Sequence, residues 1–474
     1  MTDRFFINGE WVLPESDNTA PVIDPATEEV TATVAMGEVA DAEKALNAAR
    51  DAFPGFSRTS REERLSILEN LLNAYERHYD EMADTIRQEM GAPITLSRQA
   101  QAACGRQNIA STIDALRKYE FRESIGTTAV FKAPVGVCGL ITPWNWPINQ
   151  ITCKVAPALA AGCTMVLKPS INAPLSGLLF ARICQEAGVP AGVFNLLNGK
   201  GSIIGQSLSS SRNVDMVSIT GSTGAGASVA AAAAPTIKRV CQELGGKSAN
   251  IILADASLET AVTSGTLRCL MNSGQTCTAP TRMLVPVDLY DRALEISEAV
   301  AADVVVGPPE LPETTMGPLA NHAQFEKVRH MIELGVSEGA TLVIGGPEMP
   351  DGIDRGYFVR PTVFGGVSND MTIAREEIFG PVLCVMPYGS EQEAIRMAND
   401  SDYGLSGAVW SGDLDHARAV AQQLRTGAVH INGAPVDFNA PFGGFKQSGN
   451  GRERGTYGID EYVEIQAIMG YDAA

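Results

Sequence analysis

The residue with most chemistry to offer is Cys277, in the stretch Asn272-Ser273-Gly274-Gln275-Thr276-Cys277-Thr278. Small and polar residues surround its sulfur, where a core cysteine would sit among Leu, Ile and Val, so the stretch reads as a loop presenting a thiol. A thiolate is a far stronger nucleophile than a thiol, and a free cysteine is mostly protonated at neutral pH, so a reactive one depends on its surroundings. A lone cysteine is more often structural, and only partners elsewhere in the chain reverse that reading. Two glycine-rich turns are candidate anion sites: Gly199-Lys200-Gly201-Ser202-Ile203-Ile204-Gly205 and Gly221-Ser222-Thr223-Gly224-Ala225-Gly226. Each falls between a strand-like and a helix-like segment, where free backbone N–H groups and the helix dipole attract phosphate. Neither has GxGxxG spacing, and either alone is most simply a turn. Two in successive units favour a dinucleotide.

The elements that must position these groups alternate in type. From Val135 the chain runs Val135-Gly136-Val137-Cys138-Gly139-Leu140-Ile141 as a strand, a helix after Pro147, Met165-Val166-Leu167 as a strand and a helix over residues 178 to 187. Val193-Phe194-Asn195-Leu196-Leu197 and Met216-Val217-Ser218-Ile219 continue the series. This is the pattern of βαβ units in a parallel sheet. After Glu243-Leu244-Gly245-Gly246, read as a crossing between domains, a second α/β region has strands such as Met283-Leu284-Val285 and Val382-Leu383-Cys384-Val385-Met386. Its helices span residues 290 to 302 and 413 to 424.

Before the first unit, Asn8-Gly9 predicts a type I′ hairpin turn. Residues 40 to 118 show helical periodicity, with Leu65, Leu68, Leu71 and Leu72 on one face. Residues 120 to 132 form a hairpin arm, and Tyr462-Val463-Glu464-Ile465-Gln466-Ala467-Ile468 alternates like a half-exposed strand, able to pair with the arm of this chain or another.

At 474 residues the chain is too long for one ordinary core. Its net charge of -19 disfavours nucleic acid and anionic membrane as partners. The start, Met1-Thr2-Asp3-Arg4, lacks a basic patch followed by an apolar core, and Lys154 and Lys168 interrupt the best apolar run, so neither a secretory signal nor a membrane span is expected. Nine cysteines without CxxC pairs fit reduced thiols in a cytoplasmic protein, and five histidines without HExxH spacing argue against a zinc enzyme.

Seven motifs together resemble the aldehyde dehydrogenase superfamily along essentially the whole chain: Thr142-Pro143-Trp144-Asn145-Trp146-Pro147, Val166-Leu167-Lys168-Pro169-Ser170, Thr220-Gly221-Ser222-Thr223, Gln242-Glu243-Leu244-Gly245-Gly246-Lys247, Gly274-Gln275-Thr276-Cys277, Glu376-Glu377-Ile378-Phe379-Gly380-Pro381 and Pro441-Phe442-Gly443-Gly444-Phe445-Lys446-Gln447-Ser448-Gly449. The resemblance implies an α/β protein with two Rossmann-like three-layer domains and a small β arm for oligomerisation. The cofactor-binding domain would comprise residues 1–117 and 134–245, the catalytic domain 246–448, and the arm and tail 118–133 and 449–474. It also implies a homodimer or homotetramer, no metal, a small aldehyde as substrate and NAD as cofactor.

By the same resemblance Cys277 is the nucleophile, Asn145 and the Cys277 backbone N–H hold the oxyanion, and Glu243 is the base that activates water. Glu243, beside Leu244 in an apolar interior, would have its pKa raised toward the working pH. Lys168 and Glu377 would hold the nicotinamide-side ribose, with Phe379 beside the ring and Lys168 counted with the catalytic group. Trp144, Ser170, Ile171, Gly201, Gly205, Gly221, Ser222 and Leu244 complete the cofactor set. Trp146, Asn149, Gln150, Phe438 and Phe442 would line the aldehyde tunnel. No arginine stands in those tunnel positions, which disfavours dicarboxylic semialdehydes, although Arg282 and Arg122 remain open as partners from elsewhere.

Ile171 departs from the family pattern, because many NAD-preferring members have a glutamate there that holds the adenosine ribose and repels a 2′-phosphate. NADP is therefore expected to be accepted beside NAD, with Lys168 and Lys200 near enough to attract its phosphate. A CoA-acylating relative typically lacks the glutamate seen here as Glu243, and a non-catalytic relative would have lost Cys277 or Glu243.

Overall fold

A computed structural model describes residues 2–473, so Met1 and Ala474, the outermost residues of the expected cofactor domain and tail, lie outside it. Five parallel strands form the centre of one sheet, in the order Phe194–Leu196, Thr164–Lys168, Val137–Ile141, Met216–Thr220, Arg239–Glu243. The hairpin Phe5–Ile7 and Glu10–Val12 extends one edge antiparallel, through a turn in which Asn8 and Gly9 both take positive φ (54° and 79°). The other edge receives Gly449–Asn450, so the expected tail contributes its first residues to this sheet rather than to the arm.

Side chains alternate between two cores. Cys138, Leu140, Met165, Leu167 and Met216 face one helical layer, while Val137, Ile141, Val166, Val217 and Ile219 face the other. Both faces are covered, which is why the strands read as continuous apolar runs.

A second sheet repeats the arrangement with seven strands, in the order Thr341–Ile344, Thr362–Gly365, Val382–Tyr388, Arg282–Pro286, Ala249–Ile252, Ser406–Trp410, Ala428–Ile431. Only the first of these is antiparallel to its neighbour. Ile251, Leu284, Cys384 and Met386 point to one core; Ile252, Met283, Val285, Leu383 and Val385 point to the other. A three-stranded arm joins Arg122–Ile125, Thr128–Pro134 and the tail strand Val463–Ile468, which pairs within its own chain from Val463↔Pro134 to Ile468↔Ala129.

The helix Pro147–Ala161 is buried at every residue and carries the Trp-Asn-Trp segment at its start. Pro147 occupies the first helical position, where its fixed φ is pre-organised, and Gly162 ends the helix in the left-handed conformation (φ 93°). Among the described residues, no helix is long and apolar enough to cross a membrane, and no group of three His, Cys, Asp or Glu side chains is placed to hold a metal ion.

The helix Pro174–Glu186, which follows the Lys-Pro-Ser segment, starts on a buried carboxylate from elsewhere. Glu89 accepts from the backbone N–H of Leu175 at 2.6 Å, from that of Ser176 at 3.0 Å, and from the Ser176 hydroxyl. Burial pushes its pKa up to about 7, against the pull of these three hydrogen bonds. A carboxyl with a raised folded pKa contributes stability that is present below the unfolded value of 4.5 and lost as pH rises through about 7. Thermal melts of the wild type should therefore show a loss of stability between about pH 4.5 and 7 that Glu89→Gln does not share. The variant is expected to be less stable at every pH, because it removes an acceptor, but to have the flatter profile. Parallel pH profiles for the two proteins would refute this role.

Candidate active site

The carboxyl ends of the first sheet's strands face the amino ends of the second sheet's strands, and the segment bearing Cys277 lies between them. Directly after the helix Leu258–Leu270 and Met271, three successive residues take left-handed backbone, Asn272 (φ 57°), Ser273 (φ 55°) and Gly274 (φ 71°). For non-glycine residues this costs on the order of 1–2 kcal/mol each, so surrounding contacts must enforce it. Asn272 Nδ2 donates to Asn145 O at 3.0 Å and Gln275 O at 3.2 Å, Ser273 Oγ donates to Gly317 O at 2.8 Å, and Gln275 Oε1 accepts from the backbone N–H of Ala320 at 2.9 Å. Any Cβ on Gly274 would overlap the carbonyl of Gly380, and one on Gly246 would overlap that of Cys277.

Cys277 and the expected Asn145 meet in a cavity of about 280 Å³, lined by Pro143, Trp144, Asn145, Gln150, Thr220, Gly221, Ser222, Leu244, Gly245, Cys277, Gln324, Lys327, Glu377 and Phe379; the expected base Glu243 is not among the lining residues, though its neighbour Leu244 is. Asn145 Nδ2 donates to Gln275 O at 3.0 Å. An amide NH₂ has two donors, so the bond orients the group and leaves one N–H for a ligand. Trp146 Nε1 donates to Thr276 Oγ1 at 3.0 Å, tying the residue after Asn145 to the residue before Cys277. Trp144 and Phe379 pack edge to face at 5.4 Å. Glu377 Oε1 accepts from the backbone N–H of Gly246 at 3.0 Å, and burial raises its pKa.

Glu243 ends a strand that no alternation in the sequence betrayed, Arg239–Glu243. Its carboxyl is buried, and Oε2 has no hydrogen-bond partner. The surroundings correct the expected apolar interior. Glu453 lies close enough to repel it, and Lys154, Arg452 and Arg454 act from nearby. Burial first, and Glu453 second, hold the Glu243 pKa well above the ordinary range. Lys154 Nζ binds Glu453 Oε1 at 2.6 Å and Ser218 Oγ at 3.1 Å; burial opposes the ammonium charge, but Glu453 outweighs it. Lys154 was visible in the sequence as a charge inside an apolar run, a signal that a buried partner awaited it.

Other expected cofactor residues stand away from this cavity. Lys168 ends a strand three steps along the sheet from Glu243, about 14 Å at ordinary strand spacing. It adjoins Thr142, whose backbone N–H donates to Lys168 O at 3.2 Å just before the cavity-lining Pro143, Trp144 and Asn145. Lys168 Nζ is buried against Pro169 O at 2.8 Å, and burial brings its pKa down to about 8. Ser170, Ile171, Gly201 and Gly205 follow it along the same carboxyl edge. Gly201–Gly205 forms a π-helical turn with open space beside Gly201, and Ile171 is exposed.

That edge carries a row of buried polar atoms without partners: Glu243 Oε2, Thr220 Oγ1, Thr142 Oγ1 and both side-chain atoms of Asn198. Ser222 caps the 11-residue helix Thr223–Ala233 beside them, its Oγ accepting from the Ala225 N–H at 3.2 Å. Unpaired buried groups beside a helix N-terminus fit an extended polar ligand that ends in phosphate.

Of the expected tunnel residues only Gln150 lines the cavity. Asn149 Oδ1 is occupied by Asn108 Nδ2 at 3.0 Å. Phe438 lines a separate open groove with Gln107, Ser111, Asp114 and Val436. Arg282 and Arg122 are committed elsewhere, the first to Lys247 O, Asn369 and the carbonyls of Met397 and Ala398, the second to Asp472. Gln324 and Lys327, from the helix His322–Ser337, were not expected; their spacing is that of any amphipathic helix.

Among the described residues nothing hydrogen-bonds to the Cys277 thiol, and burial with the nearby Glu377 and Glu243 pushes its pKa up to about 12. In the protein alone, alkylation of Cys277 by iodoacetamide, followed by peptide mass spectrometry, should accelerate about tenfold per pH unit from pH 7 to 10. A plateau below pH 9 would show a thiolate already formed at rest.

The aldehyde dehydrogenase family model matches residues 11–468. A 3-succinoylsemialdehyde-pyridine dehydrogenase of a Pseudomonas species is 56% identical over 472 residues, 99% of either chain. Among solved structures, a mutant of aldehyde dehydrogenase C from Pseudomonas syringae, complexed with NAD+ and octanal, superimposes with a TM-score of 0.99 at 49% identity over 100% of this chain and 98% of that one. A Mycobacterium tuberculosis aldehyde dehydrogenase complexed with NAD+ gives 0.96 at 38% identity over 98% of both chains. The reactive-thiol cavity and the α/β architecture are thus those of a known lineage, and the chain belongs to the aldehyde dehydrogenase family.

Proposed function

We propose that this protein oxidises a small aldehyde to the carboxylic acid with NAD+ and water, using Cys277 as covalent nucleophile. The observation that carries the reading is the single cavity that presents the Cys277 thiol, the Asn145 amide and the Gly221-Ser222 helix start together. Residues along the first sheet's carboxyl edge hold the cofactor: Ser222 and Gly221 at the pyrophosphate, Glu377, Phe379, Trp144 and Leu244 toward the reacting end, and Ser170, Ile171, Gly201 and Gly205 toward the adenosine end. Bound there, NAD+ supplies a hydride acceptor and a positively charged ring.

Cys277 gives its thiol proton to solvent water, Sγ adds to the aldehyde carbon as the carbonyl π pair moves to oxygen, and the resulting oxyanion is held by the second Asn145 N–H and the Cys277 backbone N–H. One such donor is worth ~3 kcal/mol in rate. A tetrahedral oxyanion expels hydride far more readily than a trigonal aldehyde does. Once hydride has left, a thioester remains on Cys277. Glu243 Oε2, buried and without a partner, takes a proton from water, and the hydroxide releases the acid and the free thiolate. A raised pKa suits this base, since burial makes its carboxylate a stronger proton acceptor than an ordinary one.

The relative that acts on 3-succinoylsemialdehyde-pyridine supports a substrate with an acyl group beyond the aldehyde. We divide the chain into a cofactor-binding domain of residues 1–117 and 134–245, a catalytic domain of 246–448, and an arm and tail of 118–133 and 449–474. Exposed Ile125, Ile465 and Met469 on the arm and tail favour assembly through that surface as a homodimer or homotetramer.

Cys277→Ala should abolish turnover. Glu243→Gln should give a burst of about one reduced cofactor per site and then stall as acyl-enzyme, measured by absorbance of reduced nicotinamide after rapid mixing. Undiminished steady turnover in either variant would refute its role. Exposed Ile171 offers no carboxylate against a 2′-phosphate, so kcat/KM for NADP should lie within roughly a thousandfold of that for NAD, or ~4 kcal/mol. A larger gap would mean that another group excludes the phosphate.

A further inference from the structure

None of the expected tunnel positions is an arginine, but Arg454, from elsewhere in the chain, reaches two of them. Its guanidinium lies over the rings of both expected tunnel aromatics, 4.5 Å from the Phe438 centroid and 4.9 Å from that of Phe442. No carboxylate pairs with it, no hydrogen bond uses its N–H groups, and Nε is buried without a partner. Its charge acts on the thiols of Cys277 and Cys104.

The backbone makes the placement more deliberate. Arg454 has φ 72° and ψ 157°, a region that essentially only glycine occupies. Such a conformation persists in a larger residue when surrounding structure enforces it, and here the two aromatic faces hold the far end of the side chain. Stacking uses the flat face of a guanidinium and leaves its in-plane donors to hydrogen-bond. The groove that Phe438 lines opens to solvent between residues 435–439 and the helix Ala102–Lys118, so Arg454, stacked on Phe438, has an aromatic neighbour at the surface while its charge reaches the Cys277 thiol.

We propose that Arg454 is a specificity-determining residue that receives an acceptor oxygen, of a ketone or a carboxylate, on the substrate's far end while the aldehyde carbon meets Cys277. The inference rests on the aldehyde-oxidising reading above and narrows it to oxo- and carboxy-aldehydes. A plain alkyl aldehyde of equal length offers no acceptor to the arginine, whose Nε is buried without a partner, and that asymmetry is the source of selectivity.

The test compares kcat/KM for 4-oxopentanal, succinate semialdehyde and pentanal, each with NAD+, in the wild type, Arg454→Met and Arg454→Lys. The wild type should prefer at least one oxygen-bearing aldehyde to pentanal by roughly tenfold or more, ~1.4 kcal/mol. The preference should collapse in Arg454→Met, chiefly through KM, and return in part in Arg454→Lys. Retention with one of the two oxygen-bearing aldehydes only would assign the acceptor as ketone or carboxylate. An unchanged preference in Arg454→Met, or none in the wild type while pentanal is still oxidised, overturns the proposal without touching the underlying reading. The wild-type comparison decides even if the methionine variant does not fold.

Discussion

Backbone must touch backbone where the two sheets meet, and that constraint governs the site. Gly246, leaving the first sheet, runs against the carbonyl of Cys277, and Gly274, entering the thiol segment, runs against that of Gly380. A single methyl group at either position would force the layers apart. Because contact is this close, the hydrogen bonds of Asn272, Ser273 and Gln275 can hold a strained segment, and Asn145 from one sheet can be oriented by Gln275 from the other. Cavity, thiol and amide are consequences of that seam rather than separate devices.

Electrostatics around the seam are arranged so that charge is scarce at rest. The Cys277 thiol and the Glu243 carboxyl each have raised pKa values, burial being the first cause for both. Neighbouring cations are largely taken: Lys154 belongs to Glu453, and the Lys327 ammonium donates to Glu377 O at 2.7 Å. Disfavouring the charged form of nucleophile and base alike limits their mutual repulsion. They become reactive when a bound cation or a polarised carbonyl alters the balance, which confines reactivity to the loaded site.

Much of this was legible in the chain. Apolar runs bounded by glycine placed the strands because both faces of each sheet are buried, and Asn8-Gly9 placed a turn because few other pairs accept two positive φ angles. Glu243 was harder. Its strand Arg239–Glu243 mixes charge with Val and Cys, since it lies toward the edge of the sheet, and nothing local announces that Lys154 and Glu453, far apart in sequence, converge on it. Lys168 shows another limit: a motif locates a residue at the carboxyl edge but not the strand order that sets its neighbours. Arg454 escaped because its neighbours Phe438 and Phe442 reach it only through the fold.

The first sheet is built from both ends of the chain, with Phe5–Val12 at one edge and Gly449–Asn450 at the other. Glu453 and Arg454 follow directly on that last strand. A nascent chain therefore leaves the ribosome with its thiol long before the residues that tune it, and the catalytic environment closes only when synthesis is complete. Such long-range closure is slow to form, and it means that a prematurely truncated product carries the reactive cysteine without the apparatus that makes it an enzyme.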